Sequence, residues 1–465
     1  MPERRILIRG GTVLTLDREL GDFERADVLV EDERIAAVGP DLGAEVADAE
    51  VIDATRAIVM PGFVDTHRHT WQAQLRTIAC DWTLGQYMTG LHSGLSGHFR
   101  PEDTNTGNLL GTVEALDSGI TTLLDWSHNL ATPEHADAAI EALRESGARA
   151  VFAHGGGAPQ WDVLPNAVPH PEDARRVRDQ HFAADGGLVT MAMALRGPEI
   201  ATRDVTVSDF ELARDLDLRI TIHVGNGEMA KDRPLAWMHD NGLMGPDVTY
   251  VHCNAVADDE LAMIAATGGT ASCSPDIELQ MGHGWPATGR LLRAGIRPTI
   301  SIDVCSSNGG HMFGAMRSLI GTQRGFDHAE AQERGEPLDH VPLSCREVVD
   351  FATIDGARAI GLDAEIGTLT PGKQADVILL STDSYGMFPA NSPYGAVVYN
   401  AHPGVVETIL VAGKVVKRDG ELLGIDRERL RSRAFASRDY IFERARAVPA
   451  TADAATGGSW MPHHF

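Results

Sequence analysis

Two histidines one residue apart, His67 and His69, lie in the stretch PGFVDTHRHT (61–70) at the end of the apolar run AIVMPGFV. In an extended strand, residues i and i+2 point to the same side, so both imidazoles can close on one ion where the strand ends. Neutral imidazole is a common ligand for zinc and related metals. A lone His-x-His pair is a weak signal, and its weight depends on what the rest of the chain supplies. Three further metal-capable residues end apolar or β-branched runs: His223 after RITI (219–222), His252 after VTYV (248–251) and Asp303 after RPTISI (297–302). Any one of them is explained as readily by a satisfied core or surface position. Five on four strand ends point to one metal-centred site.

The elements that must position these residues alternate along the chain. Strand-like runs fall at 59–65, 120–126, 149–153, 188–195, 219–223, 249–252, 270–273 and 297–303. Segments of helical period lie between them, as at 107–117, 134–145, 210–216, 258–266 and 286–293. Eight strand–helix units predict an α/β fold, a metal-dependent (β/α)8 TIM barrel over 59–366, whose chemistry sits at the carboxyl ends of its strands. The flanks read as short strands, at 5–16, 26–38 and 50–53 before the barrel and at 375–381, 406–412 and 414–417 after it, with Gly413 as a hairpin turn. Residues 1–58 and 367–424 are therefore expected to form one small β-sandwich from both chain ends, with the barrel inserted into it. Residues 425–465 read as an Arg-rich helix followed by a flexible tail, which includes His463 and His464.

Composition narrows the function classes. The 465 residues are 43% hydrophobic and 23% charged, ordinary for a globular chain too long for one compact core. A formal net charge of −26 argues against nucleic acid and anionic membranes as partners, because both need a cationic footprint. No window approaches the ~20 apolar residues of a transmembrane helix, and the opening MPERRILIRGG has no signal-peptide core, so a cytoplasmic location is expected. The five cysteines, at 80, 253, 273, 305 and 345, form no CxxC pair and no disulfide framework.

With these residues in place, the chain resembles the amidohydrolase superfamily, in the aminohydrolase branch that includes cytosine and guanine deaminases and hydroxyatrazine and triazine hydrolases. The resemblance covers nearly the whole chain: RILIRGGTVLTL, PGFVDTHRH, GITTLLD at 119–125, the strand ending in His223, YVHC at 250–253, SID at 301–303 and GTLTPGKQADVILL at 367–380. It implies that His67, His69, His223 and Asp303 hold the metal, with Asp303 also taking the proton from the attacking water, and that His252 faces that water or the substrate. Two-metal members carry a bridging carboxylated lysine on the fourth strand. Here the four lysines stand at 231, 373, 414 and 417, and the fourth strand ends MAMALRGPE. One divalent ion is expected, zinc by default, with iron or manganese as occupants that such sites accept. A divalent ion lowers the pKa of water that it holds from 15.7 towards about 7, which supplies hydroxide for attack on a carbon bonded to nitrogen.

Two departures separate this chain from ring deaminases. Their glutamate three residues after the fifth-strand histidine is replaced by Asn226, and the nearest acid is Glu228, on a loop flanked by Gly225 and Gly227. A neutral amide cannot act as a general acid, so either Glu228 swings in as the catalytic acid or the reaction does not need this shuttle. Where many deaminases have His-Cys-Pro, this chain has Ser272-Cys273-Ser274-Pro275. Candidate substrate-binding residues are Trp71, Gln72 and Trp82 after the first strand, His128 after the second, His154 after the third and His283 after the seventh. The expected function is deamination or dealkylamination of a nitrogen-rich heterocycle at a non-peptide C–N bond. The alternative is hydrolysis of an amide or peptide bond in a larger natural product, and a remote one is a non-catalytic binding protein. The expected partner is thus a small molecule or short peptide-like compound, and a homodimer is the default assembly.

Overall fold

The computed structural model describes residues 4–44, 48–157, 165–184 and 186–447. Its centre is an eight-stranded parallel sheet whose strands pair in sequence order: Phe63–Arg68, Ile120–Ser127, Arg149–His154, Val189–Leu195, Ile220–Val224, Val248–His252, Thr270–Cys273 and Thr299–Ile300. The last strand returns to the first through a parallel bridge between Arg68 and Asp303. The Asp303 N–H donates to the His67 carbonyl at 2.9 Å and the His69 N–H to the Asp303 carbonyl at 2.7 Å. The barrel is therefore stitched shut between the two segments that carry the ligand candidates.

The first expected strand, 59–65, is in fact two. Ala57–Pro61 belongs to the terminal sheet and pairs antiparallel with Val377–Ser381, whereas Phe63–Arg68 opens the barrel beside Ile120–Ser127. The chain changes partner at Gly62, whose N–H donates to the Asp376 carbonyl while that of Phe63 donates to Gly119, both at 3.0 Å. Both strands are wholly buried, so the apolar run carries no periodic break that would reveal the handover. A Cβ at Gly62 would lie 2.1 Å from Thr121 Oγ1, so only glycine fits this crossing. The eighth strand, Thr299–Ile300, is also shorter than the expected 297–303, and Asp303 beyond it, with φ of 64°, joins the sheet only through its bridge to Arg68.

Both chain ends build the second layer. Strands Arg5–Val13, Phe23–Glu31, Arg34–Gly39, Glu50–Asp53 and Ala57–Pro61 join Val377–Ser381, Val406–Val411, Lys414–Arg418 and Glu421–Leu422 in one mixed nine-stranded sheet. The sheet has an apolar core of its own, in which Ile6, Ile8, Val28 and Val59 meet Val377, Leu379 and Leu410. The hairpin expected at Gly413 is present: Val411 pairs with Lys414, and Ala412 and Gly413 both adopt positive φ, the two-residue turn that suits strand twist. The final helix, Arg427–Ala447, packs against Pro101–Asp117. The expected tail with His463 and His464 lies outside the described residues. No helix among the described residues is long and apolar enough to cross a membrane.

Candidate active site

The ligand candidates converge at the carboxyl ends of their strands. His67 Nε2 lies 3.4 Å and His69 Nε2 3.3 Å from Asp303 Oδ1. The rings of His67 and His223 are 4.8 Å apart and those of His67 and His69 4.7 Å. His67, His69 and Asp303 form one compact group of metal-capable atoms, and His67, His223 and His252 a second that shares His67.

The donor chemistry fits a cation. His69 Nδ1 sits 2.8 Å from the Trp126 carbonyl, which can only accept, so Nδ1 carries the proton and Nε2 presents its lone pair to the cluster. Both ring nitrogens of buried His67 and Nδ1 of His223 lack a hydrogen-bond partner. Buried polar atoms without partners are costly, and an ion among them removes that cost at His67. Burial pushes His69 down to about 3 and His223 well below its usual value, so both imidazoles are neutral, as ligands must be. Burial opposes charge on Asp303, yet His67, with Nε2 3.4 Å from its Oδ1, and the adjoining His252 and His69 outweigh it and hold the carboxyl well below the usual range. A carboxylate gathered with the imidazoles of His67, His69 and His223 is a donor set that could hold a cation.

His252 is held differently. Its Nδ1 lies 3.2 Å from Glu278 Oε1, so the ring donates there and turns Nε2 towards Asp303 Oδ2, 3.7 Å away. Burial alone lowers an imidazole, but Glu278 and Asp303 together raise His252. Glu278 is fully buried on the helix Pro275–Met281 and also accepts from the Ser274 N–H at 2.7 Å. Nothing in its spacing marks it in the sequence. His252, Cys253 and Asp303 all adopt positive φ, 77°, 59° and 64°, a conformation that is uncommon for residues other than glycine and that gathers at functional sites.

Beneath the cluster, carboxylates brace the backbone. Asp65 accepts from the Ile302 N–H at 3.1 Å, and Asp125 accepts from Thr70 Oγ1 at 2.6 Å and Asn108 Nδ2 at 2.8 Å. Burial raises both to about 6.

A cavity of about 140 Å³ opens over the ligand cluster and is lined by His69, His223, His252 and Asp303 together with His128, His283 and Asn226. Its wall also includes Tyr87 and His92, which come from the long segment after the first strand. The other expected binding residues lie elsewhere among the described residues. Trp71 is fully buried behind His128 and donates from Nε1 to its Nδ1 at 3.3 Å. Gln72 hydrogen-bonds Tyr87 and Ser306, Trp82 packs on Gly90, and His154 pairs with His170 through ring nitrogens 3.0 Å apart. Asn226 is clamped by Glu199, which accepts from its backbone and side-chain amides at 3.1 and 2.8 Å and from the Gly225 N–H at 2.7 Å. The backbone of Glu228 lies in the short 3-10 helix Gly227–Asp232, and its side chain is outside the described structure.

Fold and site together define a metal-dependent hydrolase on a (β/α)8 barrel. Residues 58–416 match the amidohydrolase family, and the chain belongs to it. It is 31% identical to a 5-methylthioadenosine/S-adenosylhomocysteine deaminase of Symbiobacterium thermophilum, across 89% of this chain and 94% of that protein. An adenosine deaminase from Xanthomonas campestris with bound zinc superposes with a TM-score of 0.80 at 25% identity, over 96% of this chain and all of the other. A triazine hydrolase from Arthrobacter aurescens shares the fold with a TM-score of 0.83 at 23% identity, over 94% of this chain and all of that one.

Proposed function

We propose that this protein hydrolyses an exocyclic C–N bond of a nitrogen-rich heterocycle, with one divalent ion, zinc by preference, held by His67, His69, His223 and Asp303. The observation that carries the reading is the convergence of His67, His69, His223 and Asp303 at the strand ends, at the base of a cavity that His69, His223 and Asp303 line. The deaminases to which the chain is similar support the bond type. A bound divalent ion supplies a water acidified towards neutral pH. Asp303 would accept a proton from the attacking water, and His252, oriented by Glu278, would donate a hydrogen bond towards the charge that develops at the attacked carbon. The fourth strand offers no lysine to bridge a second ion.

Asn226 gives the second reading its footing. Its amide cannot protonate a ring nitrogen and already donates to Glu199, so an amide substrate, whose leaving nitrogen can take the proton relayed by Asp303, suits this site as well. Ammonia release measured over purines, pyrimidines, triazines and small amides separates the two. Elemental analysis after dialysis is expected to give about one ion per chain. Two tightly held ions, or turnover of amides alone, overturns the leading reading.

A further inference from the structure

Asn226 lines the cavity, and the face that its amide shows there is set by Glu199. Glu199 stands just past the fourth strand, Val189–Leu195, and is buried. Its two oxygens meet three N–H groups: Oε1 accepts from the Gly225 N–H at 2.7 Å, and Oε2 from the backbone N–H of Asn226 at 3.1 Å and from its Nδ2 at 2.8 Å. Backbone N–H groups can only donate, so both oxygens act as acceptors and the amide has to turn its NH2 towards them. Burial pushes the Glu199 carboxyl up, and the same N–H groups pull against the rise. Turning the amide over in place would set Oδ1 against a carboxylate oxygen, two acceptors with no hydrogen between them. The backbone is also held. Gly225 has φ of 82°, a Cβ there would lie 2.8 Å from the Asn254 nitrogen, and its carbonyl accepts from the Ala255 N–H at 3.2 Å. With Nδ2 engaged, the side-chain atom that Asn226 has left for a ligand is Oδ1, an acceptor with no proton to give. Asn226 follows the ligand candidate His223 by three residues and shares its cavity, so a substrate whose reacting carbon lies over the cluster turns a substituent of that carbon towards Oδ1.

We infer that Glu199 is a positioning residue that makes Asn226 an acceptor at the reacting carbon, and that the group leaving from this carbon therefore carries an N–H: a primary or secondary amine, and not a dialkylamine, an alkoxide or a halide. The inference rests on the C–N hydrolase reading above. It applies to a ring amine and to a secondary amide alike.

The test uses the metal-loaded full chain with two sets of probes that differ only at the reacting carbon, 6-substituted purine ribosides and 2-substituted 4,6-dimethyl-1,3,5-triazines, each bearing a methylamino, a dimethylamino or a methoxy group. Release of the amine or of methanol and the shift in melting temperature are both recorded. In at least one set the methylamino compound is expected to exceed the other two in kcat/KM by about tenfold or more, the scale of one unpaired buried polar group. Glu199→Gln offers an NH2 to Asn226 Oδ1 and so turns Nδ2 to the cavity. The methylamino-to-methoxy ratio should then fall by about tenfold or more, while the dimethylamino compound, which has no hydrogen to donate and a delocalised lone pair, stays poor. Asn226→Leu keeps the shape without a polar atom and should bring the ratio near one. Metal content should be unchanged in both variants, since neither residue is a ligand candidate. A methoxy compound cleaved as fast as its methylamino counterpart by the unaltered protein, or a ratio that neither variant moves, overturns the inference and leaves the C–N reading standing. Melting-temperature shifts that follow the expected order and reverse in Glu199→Gln, without cleavage of any probe, keep the assignment of Glu199 and Asn226 and remove the reading on which it rests. Probes that neither bind nor react overturn the inference as well.

Discussion

Asp303 is the one carboxylate of the cluster, lies within 3.3–3.7 Å of His67, His69 and His252, and shares a positive φ with His252. Asp303→Asn keeps an oxygen that can face a cation but removes the proton acceptor. Turnover should fall by about 10²-fold or more, the usual cost of losing a general acid or base, while metal content drops only modestly. A variant that kept most of its activity would move the base elsewhere. His252 poses a related question, because its orientation comes from a residue that does not line the cavity. Glu278→Leu removes the acceptor for both His252 Nδ1 and the Ser274 N–H, a loss of about 1–3 kcal/mol for each buried donor left unpaired. If Glu278 positions His252, kcat should fall by about 10- to 100-fold, KM should hardly move, and Glu278→Gln should restore part of the rate. Equal loss of rate in both variants, in step with their melting temperatures, would reduce Glu278 to a packing role.

At the scale of elements, Gly62 is the hinge of the architecture. Gly62→Ala forces a methyl group onto Thr121, so a loss of about 1–3 kcal/mol is expected from overpacking. Urea unfolding of Gly62→Ala beside the Gly62→Ala/Thr121→Gly double variant checks this, since removing the Thr121 side chain should return part of the loss. An alanine variant as stable as the parent would show that the crossing yields. The same position shows what the sequence could and could not disclose. The placing of His67, His69, His223, His252 and Asp303 at strand ends was legible because period-two geometry and apolar runs set it without knowledge of the neighbours. The split of 59–65 was not, since a run buried in two successive sheets looks like one strand. Nor could spacing show that Trp71 turns into the core, that His154 pairs with His170, or that a carboxylate one turn into a helix orients His252. Those depend on long-range contacts, which leave no local period.

Over the whole molecule, stability and chemistry sit at opposite ends of the barrel. Arg149 begins the third strand, at the end away from the ligand cluster, and its guanidinium makes a two-pronged contact with Asp376 of the terminal sheet, Nε to Oδ2 at 2.8 Å and Nη2 to Oδ1 at 3.1 Å. The pair is nearly buried, with 10% and 3% of the side chains exposed, so removing one partner strands the other charge. Arg149→Ala should therefore cost about 3–5 kcal/mol. Replacing a buried pair by apolar residues of similar volume is often neutral, but here Asp376 Oδ1 also accepts the Ala412 N–H of the terminal hairpin at 2.7 Å. Arg149→Met/Asp376→Leu should thus recover the ion-pair penalty and remain about 1–3 kcal/mol below the parent, the cost of one unpaired buried donor. Denaturant unfolding measures both, and metal content with ammonia release measures the other end of the barrel. Metal content and kcat should be unchanged in whatever fraction stays folded, because the cluster at the carboxyl face makes no contact with this pair at the amino face. Loss of metal from a folded Arg149→Ala protein would show instead that the terminal sheet and the ligand cluster are coupled through the barrel wall.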